Sequence, residues 1–177
     1  MTRMPLPIAL ALLGALVAHP SAARAEVSDA DFVAHAASDG MLEVQLGRHA
    51  AQNATDPAVR QFGERMVRDH QQANDRLRSV ATQAGMTVPS TLQPEHQRKL
   101  EKLTAFSGAE LDRHYIDEMV KAHEKDVNAF REQAEGDSEI DRWAAATLPT
   151  LEEHLALARE VQAQTRGAAE KPEDERT

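Results

Sequence analysis

The sequence predicts an all-α fold: an up-down four-helix bundle with one extra short helix between the second and third long helices. Three observations carry this. Aromatic residues make up only 3% of the 177 residues, and the chain beyond residue 25 is rich in Ala, Glu, Gln and Arg. These are good helix formers, whereas strands favour aromatic and β-branched residues. Helix start and stop signals recur along the chain. Between them, apolar residues repeat every three or four positions, the spacing of one buried helix face.

The chain opens with a segment outside the fold. Arg3 supplies a positive charge, and Leu6 to Ala18 form an apolar run that His19 and Pro20 end. A membrane-spanning helix needs about 20 such residues, so this length suits a cleavable signal peptide. Small residues in Ala23-Arg24-Ala25 place the cut after Ala25, and the mature protein is expected in the periplasm. With no cysteine there is no lipid anchor, disulfide, thiolate metal site or Cys nucleophile. Loss of Arg3 and Arg24 takes the formal charge from −9 to −11. That acidity argues against nucleic acid and anionic lipid as partners, and it permits cation binding.

Each helix follows from local chemistry. Ser28 can cap a first helix over about Asp29 to Asn53. Asp56 and Pro57 suit the N-cap and first position of a second, which ends near Ala84 before Gly85. Pro94 opens a short helix to about Phe106. Ser107 to Glu110 read as a capping box for a helix from Ala109 to Glu135. Asp137 or Ser138 caps the last, which reaches about Thr165 and contains Pro149, expected to kink it. The domain thus covers residues 26–166, and residues 167–177 form a charged tail expected to be disordered.

Four polar residues interrupt the apolar stripes. Glu43, His70, His123 and His154 each lie within about two residues of a helix midpoint, or about 3 Å in height. In an antiparallel bundle they share one layer. Buried imidazoles and carboxylates without partners are costly, and a shared metal ion resolves the cost. Imidazole suits Zn, Cu and Fe, and carboxylate suits Fe and Mn. Asp126, three residues after His123, adds a further ligand from the same face. Asp69, Asp112 and Tyr115 are placed to orient the imidazoles. The competing reading is a buried His–Glu layer that sets helix register in a non-enzymatic envelope or stress protein with a protein partner. Asp39 is offered as an extra ligand, with a rim position favoured, and His35, His49, His96 and His114 are placed at the surface or boundary. Met66 and Met119 read as core filler. No Gly-rich phosphate loop or Ser–His–Asp spacing is present, so no catalytic residue is assigned.

The stretch from Asp31 to His70, with Glu43 before Leu46-Gly47 and then Met66, Asp69 and His70, resembles the domain-of-unknown-function 4142 family. Ser107 to Phe130 and Leu148 to Ala158 fit the same pattern, so the resemblance spans about residues 29 to 162. It implies a ferritin-like, exported bacterial bundle without a settled activity. Ferritin-like di-iron proteins carry Glu-x-x-His on two helices. Here Val67 precedes His70 and Leu151 precedes His154 at that spacing, so a mononuclear or His-rich site is expected instead.

Overall fold

The computed structural model describes residues 21–170, with side chains described for residues 29–167. Its five helices are α1 (Ser21–Asn53), α2 (Pro57–Gln83), α3 (Pro94–Thr104), α4 (Gly108–Gln133) and α5 (Glu139–Glu170). No strand occurs among the described residues. Residues 1–20 of the expected signal peptide (1–25) and residues 171–177 of the expected tail (167–177) lie outside them.

The punctuation residues explain most helix ends. Asp56 accepts the Ala58 amide at 2.8 Å ahead of Pro57, so α2 starts with a side-chain cap. It stops at Gly85, whose φ of +74° suits a residue without Cβ. The Gly85 amide donates to Thr82 O and the Met86 amide to Ala81 O, the paired bonds of a Schellman stop. Ser138 and Asp141 cap α5 reciprocally: the Asp141 amide donates to Ser138 Oγ at 3.1 Å, and the Ser138 amide to Asp141 Oδ2 at 2.7 Å.

Three boundaries differ from the sequence reading. The α1 helix runs through Ser28 from Ser21, because Ala22 to Glu26 are helix formers with no Gly or Pro to break them. Likewise α5 passes both Pro149 and Gly167 and reaches Glu170, so residues 167–170 are helical. Ser107 makes no side-chain cap bond, because Gly108 enters α4 at φ +58° and turns the chain away from capping-box geometry.

The α1 helix packs along α2 and α4 along α5, while α2 faces α5 and α1 faces α4. The first pair approaches closely at two glycines. A Cβ on Gly47 would lie 2.8 Å from Gly63 O, and one on Gly63 2.7 Å from Gly47 O. End contacts fix the chain directions. At one end, Thr55 and Asp56 of the α1–α2 turn meet Asp112 near the start of α4, and Thr165 near the end of α5. At the other, Asp29 meets Gln133 of late α4, and Gln133 meets Asp141 of early α5. Packed neighbours are therefore antiparallel, but α4 runs the same way as α2. The link carrying α3 returns the chain along the fold, which strict up-down order would not require.

Two apolar clusters form the core. One contains Leu46, Phe62, Met66, Leu111, Tyr115, Met119 and Val161. The other contains Val33, Leu77, Val127, Phe130, Trp143 and Leu151. Each fully buried large side chain contributes about 1.5–3 kcal/mol relative to exposure. On α2, α4 and α5 the same order recurs: His70 falls between Met66 and Leu77, His123 between Met119 and Val127, and His154 between Leu151 and Ala158. A polar layer thus separates two apolar halves.

Candidate metal centre

Four helices contribute to this layer. Glu43 and His154 are each 1% exposed, His70 is 6% and His123 is fully buried. The ring centroids of His70, His123 and His154 form a near-equilateral triangle with sides of 5.3 to 5.7 Å. Their nitrogens come within 4.8 Å of one another.

Each ring is held from outside the triangle. His123 Nδ1 donates to Met119 O at 2.9 Å. That tautomer leaves the lone pair on Nε2, which has no hydrogen-bond partner within the protein. His154 Nε2 donates to Asp69 Oδ2 at 2.8 Å, leaving the unpartnered Nδ1 as its acceptor. His70 Nδ1 lies 2.9 Å from Glu43 Oε2, and its Nε2 is again unpartnered. One nitrogen of each imidazole is anchored and the other has no partner, the arrangement that holds metal-binding histidines in place.

Burial sets the charge states. It lowers His70 and His154 to about 4, and lowers His123 as well, so all three are neutral near pH 7. Glu43 is pushed up to about 8 by burial, against the pull of His123. In the metal-free protein it therefore keeps a proton and donates it to His70 Nδ1. Asp69 behaves differently. Burial works to raise it, but hydrogen bonds from His154 and Arg65 outweigh this and hold it below the usual carboxylate range. Arg65 Nε lies 3.1 Å from Asp69, and Arg65 also binds Glu153 at 2.7 Å.

A carboxylate group adjoins the imidazoles. Glu43, His123 and Asp126 each offer a ligand atom within 4.8 Å of the others. Glu43 Oε1 lies 3.5 Å from His123 Nδ1. Asp126 is 8% exposed and is raised well above its ordinary value by burial, then by Asp39 and Glu43. Asp39 is close enough to add to the rise at Asp126.

Several sequence-placed residues fall elsewhere. Asp112 does not orient an imidazole. It stands 11 residues before His123, about 16 Å along the helix axis, where it accepts the Thr55 and Asp56 amides at 2.9 and 3.0 Å. Tyr115 is fully buried against Phe62, and its hydroxyl bonds no histidine. Asp39 is not at the rim but 8% exposed. His96 is not at the surface: 4% exposed, it docks α3 on α1. Ser38 Oγ accepts the Gln93 amide and lies 2.7 Å from His96 Nδ1, while His96 Nε2 faces Asp39 Oδ1 at 3.5 Å. The i, i+4 spacing of Asp39 and Glu43 places both on one face of α1 and is the signal that reveals Asp39. His35 is exposed beside His96, His49 bonds Phe106 O, and His114 stacks on Phe106.

A family model, the domain of unknown function DUF4142, matches residues 15–161. The chain belongs to the DUF4142 family. No curated protein matches it. Among solved structures, this DUF4142 chain is similar to a DUF305 fragment from Deinococcus radiodurans, at 14% identity and a TM-score of 0.68, covering 77% of this chain and 96% of the other. It is also similar to a candidate secreted protein, DUF305, from Streptomyces coelicolor, at 14% identity and a TM-score of 0.66, covering 78% and 92%. At that identity the likeness concerns the helical fold alone. No described helix of the DUF4142 chain is long and apolar enough to cross a membrane.

Proposed function

We propose that this DUF4142 protein is an exported four-helix bundle that binds a transition-metal ion through His70, His123 and His154, for storage, buffering or redox work in the periplasm. One observation carries the reading: three buried imidazoles each keep an unpartnered nitrogen, and the rings bring a nitrogen apiece within 4.8 Å of one another. Neutral imidazoles do not repel one another strongly, yet each unpartnered nitrogen forfeits the hydrogen bond it would make in water, and such a loss costs about 1–3 kcal/mol. A bound Zn, Cu or Fe ion takes all three lone pairs at once. For His70 this requires the Glu43 proton to leave, so that Nδ1–H donates to the carboxylate and Nε2 is freed. Glu43 then stabilises the charged centre, as Asp69 does from the other side.

The ferritin-like bundle reading draws on antiparallel neighbours with one long crossover, an arrangement known in ferritin-like folds. Export draws on the apolar run and small-residue cut site before Glu26, and is in keeping with the candidate secreted neighbour. Elemental analysis of untagged protein recovered from the periplasm tests the function. The expected result is a stoichiometric transition metal that the His123→Ala variant lacks. Metal-free protein whose melting is unchanged by Fe, Zn, Cu or Mn would leave the layer as a register-setting device only.

A further inference from the structure

Beside the imidazole triangle lies a second set of donors with different chemistry. Glu43 Oε1 and Asp126 Oδ2 are buried and have no hydrogen-bond partner within the protein. Asp39 joins them from one turn earlier on α1. These three carboxylates and His70 line a cavity of about 30 Å³, room for one water or one ion. Its remaining wall is largely apolar, including Phe32, Phe130 and Trp143. Lys99, whose charge acts on Glu43 and Asp126, is already committed to Glu118 at 2.7 Å. His96 reaches only Asp39, at 3.5 Å.

On this side the donors are mainly oxygen, with one His123 nitrogen within 4.8 Å of Glu43 and Asp126. His123 Nδ1 is occupied by Met119 O, and His70 Nδ1 by the other oxygen of Glu43. A set made mainly of oxygen selects hard cations over those that prefer imidazole. Glu43 belongs to both sets: Oε2 holds His70 and Oε1 opens toward Asp126.

We infer that the centre has two cation positions of unlike character: the imidazole position, and an oxygen position formed by Glu43, Asp126 and Asp39 that takes a hard divalent ion of the Mn²⁺ type. This rests on the metal-binding reading above and extends it. Glu43 couples the two positions, so filling one alters the affinity of the other.

The test uses the untagged mature chain, stripped of metal, given one equivalent of Zn²⁺ and then excess Mn²⁺. Ions retained after gel filtration are counted by elemental analysis, and bound Mn²⁺ is followed by electron paramagnetic resonance. The expected result is one zinc and one manganese per chain. Asp126→Asn and, separately, Asp39→Asn should weaken manganese at least tenfold and leave zinc in place, while His154→Ala should do the reverse. Circular dichroism verifies that each variant is folded. Zinc retained with no manganese bound, or zinc and manganese lost together in folded Asp126→Asn and Asp39→Asn, would overturn the second position and leave the imidazole site standing. No ion of either kind would overturn both readings.

Discussion

The turn between α1 and α2 and the layer at mid-height both bury acidic side chains, yet they treat them oppositely. At the turn, Asp112 is 3% exposed, and its two oxygens accept the Thr55 and Asp56 amides. No polar atom of its side chain is left over. At mid-height, His70, His123 and His154 each satisfy one nitrogen and leave the other bare, and Glu43 and Asp126 each leave one oxygen bare. Native interiors satisfy nearly all buried polar atoms, so five orphans in one place call for an explanation that the turn does not need. The turn is complete within the chain. The layer leaves five polar atoms without a partner within the chain.

The largest expected effect separates the two directly. Zinc at a thousandfold excess over its Kd adds about 4 kcal/mol of stability, which for a domain of this size raises Tm by about 8–16 °C. His123→Ala should abolish the rise, and Asp112→Ala should keep it. Next is the pH response of the metal-free protein. A carboxyl raised from 4.5 to about 8 binds its proton more tightly when folded. Its contribution is full below pH 4.5 and is lost as pH rises through 8. Melting curves from pH 5 to 8.5 should therefore show wild type losing several degrees relative to Glu43→Gln. A constant difference across that range would show that Glu43 is ionised throughout. Asp112→Ala should then cost about 2–3 kcal/mol in chemical denaturation, because two amides lose their acceptors, with metal content unchanged. Asp69→Asn should weaken zinc by about 10–100-fold in a calorimetric titration while barely altering metal-free stability. Arg131→Ala breaks an exposed 2.8 Å pair with Glu152 and should change stability by less than about 1 kcal/mol.

What the sequence discloses is mostly local. Asp56-Pro57 and Gly85 bound α2 closely because they act through backbone chemistry within one turn. Ser28 misleads because a capping residue inside a run of helix formers has no free helix end to cap. The layer is legible because Glu43, His70, His123 and His154 break an apolar period at matching heights. Asp112 satisfies the face but not the height, and its true partners belong to another turn of the chain. His96 escapes because its burial depends on α3 docking on α1, a long-range event that no spacing within either helix records. The same crossover hides the parallel course of α2 and α4.

Whether the three unpartnered nitrogens bind an ion can be seen by diffraction at the zinc absorption edge from zinc-loaded crystals. The expected result is an anomalous peak about 2.0–2.1 Å from His70 Nε2, His123 Nε2 and His154 Nδ1. Zinc found only on surface carboxylates, with the three nitrogens still bare, would contradict it.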